Sequence, residues 1–316
     1  MTGNRKSNKQ TIMKSKHSLA GVLPVLQLPF LTDESIDWDT LSKEIDWAYE
    51  NGANGIVAAM VTEILRLTDA ERDELARRMV EMNAGRGPVV MSVGDESTVQ
   101  AVRHARAATE AGVDALMAIP PAATRALLSE KVRYYEAIIA ATDLPIIVQD
   151  ASGYVGEPLP VDTQADLYKR FGDRVLFKPE AEPLGPNLSL LRDGGGAGLK
   201  VFEGSGGIAL LDSYQRGIYG TMPGTEILWA IRAEWDALES GDLQRATELQ
   251  GLIAPLISLQ HGLDGYLSVE KALLHRQGVF PNRIIRGPVG FTLDPETERE
   301  AFRLFDLLCA ACGRSN

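Results

Sequence analysis

In the stretch "VLFKPEAEP" (175–183), a lysine and a glutamate, Lys178 and Glu180, stand two apart where an apolar run ends. Residues two apart on a strand share a face, so an inward Lys178 brings Glu180 inward and sets an ammonium beside a carboxylate. Desolvation by Val175, Leu176 and Phe177 favours the neutral amine, the nucleophile of Schiff-base chemistry. The neighbouring carboxylate opposes it by stabilising the ammonium, and burial and bound substrate must outweigh that effect. A structural ion pair closing a barrel layer is the other reading of the same two residues. A second polar strand end, "LPIIVQD" (144–150), carries Gln149 and Asp150. An amide there can hydrogen-bond a ligand but cannot exchange protons usefully.

Other reactive side chains form no constellation. Cys309 and Cys312 make a lone "CAAC", and the four histidines, His17, His104, His261 and His275, are scattered. A zinc site would lack ligands, so no metal is expected and the cysteines read as small residues on a terminal helix. The glycine-rich "DGGGAG" (193–198) precedes a strand instead of joining a strand to a helix. It reads as a loop, not as a dinucleotide-binding turn.

The elements that must position Lys178 and Glu180 follow from periodicity. Strands are expected at 21–30, 55–60, 88–93, 115–120, 144–150, 175–180, 199–205 and 217–224, with helical spacing after most of them, as over 38–50, 69–84, 98–111 and 128–142. Eight such units with Gly, Asp and Pro punctuation predict an α/β fold, a closed (β/α)8 TIM barrel. From Gly241 the pattern is helical alone, and Asp294-Pro295 opens the last helix. The expected division is a barrel over 19–240 and a C-terminal helical extension over 241–316. Strand ends at the C-terminal face line the active site of such a barrel. There "EGSGG" (203–207), with Gly204 and Ser205, offers backbone N–H groups to a carboxylate or hydroxyl, or is a plain tight turn. Thr221 and Met222 end the eighth strand, and Met222 reads more readily as filler than as function.

With 316 residues and 45% hydrophobic content the chain can bury a large core, and a net charge of −11 argues against nucleic acid or an anionic membrane as partner. The first 18 residues carry five Lys or Arg and no acid, and are expected to be a disordered basic tail. No apolar run approaches a signal segment or a span of about 18 residues, so a cytoplasmic location is expected.

These residues together resemble the dihydrodipicolinate synthase and N-acetylneuraminate lyase family of Schiff-base-forming barrels, over about residues 20–312. The resemblance rests on "GVLPVLQLPF", Glu63 with the following "LTDAER", "LPIIVQD", "FKPE" and the helical extension. It implies that Lys178 forms an imine with a small 2-oxo acid, that no separate cofactor is needed, and that the protein is a homotetramer. Leu252, Ile253, Leu256, Ile257 and Leu259, more apolar bulk than one buried helix face uses, agree with assembly.

The chain departs from the family's synthases at several places. Their Gly-Thr-Thr-Gly-Glu loop after strand two is Ala59, Met60, Val61, Thr62, Glu63 here; their strand-five tyrosine is Gln149, followed by Asp150. Tyr154 stands where they carry an arginine for a second carboxylate, and the tyrosine pair after strand four is Ala122 and Ala123. Relay, clamp and most of the hydroxyl loop are absent together. "IIVQDASGYVG" and Val61-Thr62-Glu63 are closer to the 2-keto-3-deoxy-sugar-acid dehydratases, including the L-2-keto-3-deoxyarabonate branch, and to the pyrroline-hydroxycarboxylate deaminases. Met60 and Ala122 replace an asparagine and an aromatic of that branch, which implies a roomier or more apolar pocket.

The resemblance thus implies a lyase, with dehydration favoured. Lys178 attacks the carbonyl, Glu180 removes a C3 proton from the protonated imine, and the enamine expels a C4 substituent. Thr62 and nearby backbone N–H groups are expected to hold the carboxylate. Glu63, Gln149, Asp150, Tyr154, Gly204, Ser205 and Met222 complete the expected contacts. Aldol cleavage, deamination, and a non-catalytic descendant that binds a keto acid or a protein stay open.

Overall fold

A computed structural model describes residues 17–196 and 198–314, so the expected basic tail lies outside the described residues apart from His17 and Ser18. Eight parallel strands form the barrel: β1 (Gly21–Val22), β2 (Ile56–Ala58), β3 (Val89–Ser92), β4 (Ala115–Ala118), β5 (Ile146–Asp150), β6 (Val175–Pro179), β7 (Phe202–Glu203) and β8 (Gly220–Thr221). Strands β2 to β6 pair in order, and β8 pairs with both β7 and β1. Single parallel bridges, Val25 to Val57 and Phe177 to Val201, join the two runs and close the ring. The first strand is much shorter than the expected 21–30. Pro24 and Pro29 lack the N–H a ladder needs, so the segment continues only as isolated bonds, Leu23 N to Thr221 O at 2.9 Å and Leu26 N to Val57 O at 2.9 Å.

Helices α1 (Trp38–Glu50), α2 (Asp69–Asn83), α3 (Thr98–Ala111), α4 (Leu128–Ala141), α5 (Val161–Phe171), α6 (Leu184–Gly195), α7 (Leu210–Gln215) and α8 (Leu228–Ser240) cover the barrel. Local signals start them: Thr68 and Glu71 form a reciprocal capping box ahead of α2, and the Asp37 side chain accepts from Thr40 N at α1. The run read as a loop at 193–198 is corrected in part, since Asp193 to Gly195 form the last turn of α6. The glycines suit a tight seat there, because a Cβ on Gly195 would lie 2.2 Å from Leu199. Leu23, Val57, Val90, Met117, Ile147, Leu176 and Phe202 fill the barrel interior, while Val175 and Phe177 belong to the layer between strands and helices. The period of two therefore turns Lys178, like Leu176, inward.

Three further helices follow: α9 (Leu243–Ile257), α10 (Gly262–Arg276) and α11 (Pro295–Ala311). Ile253, Leu256 and Ile257 of α9 are buried within the chain against α8 and α11, so the apolar surplus expected to serve assembly is largely used internally. Cys309 is buried in the same cluster, and burial pushes its thiol up to about 11, which leaves it unreactive. Helix α10 is different: from Leu267 to Leu274 every residue is buried, and it packs on the turn after β2 at the barrel mouth.

Candidate active site

The cavity at the mouth has an empty volume of about 400 Å³ that opens to solvent. Lys178 and Glu180 reach it from the end of β6 and Gln149 from β5, whose register sets Gln149 directly beside Lys178. Tyr154, Ser205, Met222 and Gly224 come from the loops beyond β5, β7 and β8, Ala59 to Val61 from beyond β2, and Leu263, Tyr266 and Glu270 from α10. Both charged groups of the opening pair are about 3% exposed. The shielding of Lys178 comes from the barrel interior, not from Val175 and Phe177 beside it in sequence, which face the helices.

Glu180 is the hub. Its Oε1 accepts from Lys178 Nζ at 2.8 Å and from Ser205 N at 2.9 Å, and its Oε2 accepts from Gln149 Nε2 at 2.7 Å and from Tyr154 OH at 2.8 Å. Gln149 Nε2 also reaches Tyr154 OH at 3.0 Å, so a phenol from the following loop stands beside the amide that occupies the strand-five position. Burial and the Glu180 carboxylate hold the Tyr154 phenol well above its ordinary range, which keeps it a donor. Two turns make this approach feasible. Ser205 has a φ of 55°, and a Cβ on Gly204 would lie 2.4 Å from Glu180 Oε1, so the glycine admits the carboxylate to the turn. Asp150 accepts from Ser152 N at 3.0 Å and Leu159 N at 2.9 Å, shaping the loop that delivers Tyr154.

The structure therefore brings Lys178, Glu180, Gln149, Tyr154, Ser205 and Met222 together, but not all the residues expected to meet substrate. Thr62 is fully buried; its hydroxyl donates to Leu26 O at 2.6 Å and accepts from Ala59 N at 2.9 Å, so it holds the turn instead of facing the cavity. Glu63 points away as well: its carboxylate pairs with Lys271 Nζ and accepts from Arg286 N at 2.9 Å, tying the turn to α10 and the segment after it. Asp150 is spent on its loop, and Gly204 contributes space. The amide groups of "EGSGG" hold the protein's own carboxylate, through Ser205 N, where a ligand carboxylate or a plain turn was expected.

Tyr266 and Glu270 are cavity residues that the sequence reading missed. Leu263, Tyr266 and Glu270 follow the i, i+3, i+7 spacing of one helix stripe. The available signal was a Glu-Lys pair, Glu270 and Lys271, set within the largely apolar run 266–274. Beneath the site Glu203 accepts from Thr221 Oγ1 at 2.5 Å, and burial pushes its carboxyl up to about 8. Among the described residues no group of three His, Cys, Asp or Glu is arranged to hold a metal ion.

A barrel whose inward lysine meets a carboxylate at the sixth strand end matches the model of the dihydrodipicolinate synthetase family over residues 18–303. The chain belongs to this family. Its members are lyases, in agreement with the α/β barrel and the resemblance already drawn. The chain is 29% identical over 285 residues to an L-2-keto-3-deoxyarabonate dehydratase of Azospirillum brasilense, covering 89% of this chain and 91% of that protein. It is 26% identical over 280 residues to a 4-hydroxy-tetrahydrodipicolinate synthase of Agrobacterium fabrum, covering 88% and 94%. In fold it is similar to the crystal structure of dihydrodipicolinate synthase from Rhodopseudomonas palustris, with a TM-score of 0.82, 24% identity, and 91% and 97% of the two chains covered. No helix among the described residues is long and apolar enough to cross a membrane.

Proposed function

We propose that this member of the dihydrodipicolinate synthetase family is a dehydratase of 2-keto-3-deoxy acids that works through an imine on Lys178. One observation carries the reading: a buried carboxylate, Glu180, lies 2.8 Å from the buried amine of Lys178 and both face one cavity. The amine attacks the C2 carbonyl and water leaves, giving a protonated imine and no need of another cofactor. The imine acidifies C3; Glu180 takes that proton; the enamine then expels the C4 hydroxyl. The amides of Met60 and Val61, which find no acceptor among the described residues and line the cavity, bind the substrate carboxylate in place of the Thr62 side chain. Gln149 and Tyr154 fix Glu180 and orient the substrate.

Dehydration is favoured over carbon–carbon cleavage because retro-aldol chemistry needs a base at the C4 hydroxyl. Gln149 cannot titrate, and Tyr154, held protonated and donating to Glu180, is a poor base. The name of the Azospirillum relative agrees with this choice. The reading carries with it a homotetramer, which sedimentation of the purified protein tests, and a cytoplasmic location, which subcellular fractionation tests. The chemistry is tested by incubation with pyruvate and with L-2-keto-3-deoxyarabonate, borohydride reduction, and mapping of the adduct by mass spectrometry. Label on Lys178 and loss of one water from the sugar acid are expected. Reversible ligand binding with Lys178 unlabelled would defeat the imine, and release of pyruvate and an aldehyde would make the protein an aldolase.

A further inference from the structure

On the α10 side of the cavity Glu270 lines the wall, and behind it lie two more buried carboxyl groups, Glu44 and Glu226, with no role in imine formation or C3 proton removal. Glu270 is 2% exposed, lines the cavity, and uses Oε2 to accept from Gln27 Nε2 at 2.9 Å; no donor among the described residues reaches its Oε1. Gln27 Oε1 in turn accepts from Thr225 Oγ1, and the same hydroxyl oxygen lies 2.6 Å from Glu44 Oε1, a contact that one hydroxyl proton cannot serve as well and that a protonated Glu44 would make by donating. Glu226 crowds the same place. A Cβ on Gly224 would lie 2.2 Å from Glu226 Oε2 and 2.7 Å from Glu270 Oε1, so both carboxyls converge on the space that glycine leaves. Lys271, whose charge acts on Glu270 and Glu44, is engaged by Glu63 and by Ile284 O at 2.7 Å. Three buried carboxyls with no cation bonded to them cannot all be ionised, and protons must be held among them. Burial and the Glu226 charge accordingly push the Glu270 carboxyl well above the carboxylate range, and burial takes Glu44 up to about 8 and Glu226 to about 7.

We propose that Glu270 is the acid of this reaction: its Oε1, open to the cavity, delivers a proton to the C4 oxygen as that oxygen departs. This rests on the dehydratase reading. When the C4–O bond breaks, its electron pair goes to oxygen, which takes the Glu270 proton and leaves as water. The enamine electrons form the C3–C4 double bond, the C2–N bond becomes an iminium again, and Glu270 is left as a carboxylate. Solvent at the cavity mouth restores its proton, and Glu180 returns the C3 proton to solvent by the same opening. Two carboxyl groups lining one cavity, one at the end of β6 and one on α10, thus hold opposite roles, one taking a proton at C3 and one giving a proton at C4. The phenol on this wall, Tyr266, is driven upward by burial and by Glu180, Glu270, Glu203 and Glu226, which makes it a much weaker acid.

A leaving group that needs no proton isolates the step. Parent, Glu270→Gln and Tyr266→Phe are compared on L-2-keto-3-deoxyarabonate, on 4-chloro-2-oxobutanoate, and on C3 deuterium exchange of pyruvate. Glu270→Gln is expected to lose about 10²- to 10⁴-fold in dehydration. It should release chloride and exchange C3 deuterium at rates close to the parent's, which also shows that it is folded. Equal dehydration by parent and Glu270→Gln, or a selective loss in Tyr266→Phe instead, overturns the proposal while leaving the Lys178 imine intact. A parent that neither exchanges C3 protons nor dehydrates defeats the underlying reading. Should Glu270→Gln fail to fold, the parent decides alone. The groups around Glu270 are Glu226, Glu44, Lys271 and Tyr266, with Lys178 and Glu180 lining the same cavity, and the last two act on both substrates. The ratio of dehydration to chloride release must then fall as pH rises and Glu270 loses its proton; a ratio flat with pH overturns the assignment.

Discussion

Replacing Glu180 by glutamine removes the proposed base and spares the architecture, for reasons visible in its four hydrogen bonds. The glutamine oxygen can keep the two donors of one side, Lys178 Nζ and Ser205 N. On the other side the new NH₂ needs acceptors, and two are at hand: the Tyr154 oxygen, and Gln149 Oε1, a buried oxygen with no partner that an amide flip would present. The stability cost should therefore stay below the about 3–5 kcal/mol of removing one partner of a buried ion pair outright, which Glu180→Ala would incur. Imine formation should not slow, because the amine loses the anion that favours its charged form. Proton removal at C3 should fall by about 10²- to 10⁴-fold, the contribution of a positioned base. The assay is borohydride trapping with pyruvate beside C3 deuterium exchange followed by NMR, on one preparation. Exchange at the parent's rate in Glu180→Gln would refute the role of Glu180 and with it the mechanism built on the pair.

Gly204→Ala should remove most exchange while retaining fold and trapping, because its methyl group would take the space of the Glu180 carboxylate; the same NMR assay reads it. Glu63→Ala should destabilise by about 3–5 kcal/mol, measured by denaturant melts, since it strands Lys271 in a buried site. Stability should fall as pH rises. Glu203 and Glu234, held near 8 by burial, keep protons in the folded state that the unfolded state releases near 4.5. Each such group stabilises fully below its unfolded value and loses that contribution by about 1.4 kcal/mol per pH unit up to its folded one. Melts at pH 6 and 8.5 check the sign, and a higher melting point at 8.5 would contradict it.

Strand periodicity made the barrel legible, and with it the inward pair at 178 and 180, because side-chain direction on a strand is fixed by counting. Counting could not reach the partners of that pair. Tyr154 arrives by a loop whose shape depends on Asp150 accepting two backbone N–H groups, a geometry with no period. Thr62 was misjudged for a related reason: a hydroxyl one residue from the cavity is as ready to cap its own turn as to bind a ligand, and the 2.6 Å bond to Leu26 O decides for the turn. Tyr266 and Glu270 were hidden because a helix in the extension reads as covering until its packing on the mouth is known. Apolar excess in α9 suggested partners that α8 and α11 already supply.

The placement of α10 separates two properties of the enzyme along its chain. Lys178 and Gln149 stand on strands, and Glu180 directly after one, all laid down by residue 180, whereas Tyr266 and Glu270 arrive only after the barrel has ended at α8. During synthesis the Lys178 amine is therefore laid down long before the wall that confines it. Over evolutionary time the same order lets α10 vary in what it presents to a ligand while the strand-borne amine and carboxylate stay fixed, provided Glu63 still holds Lys271. A graft of α10 between family members, with that tie preserved, is the economical route to a new substrate on this barrel.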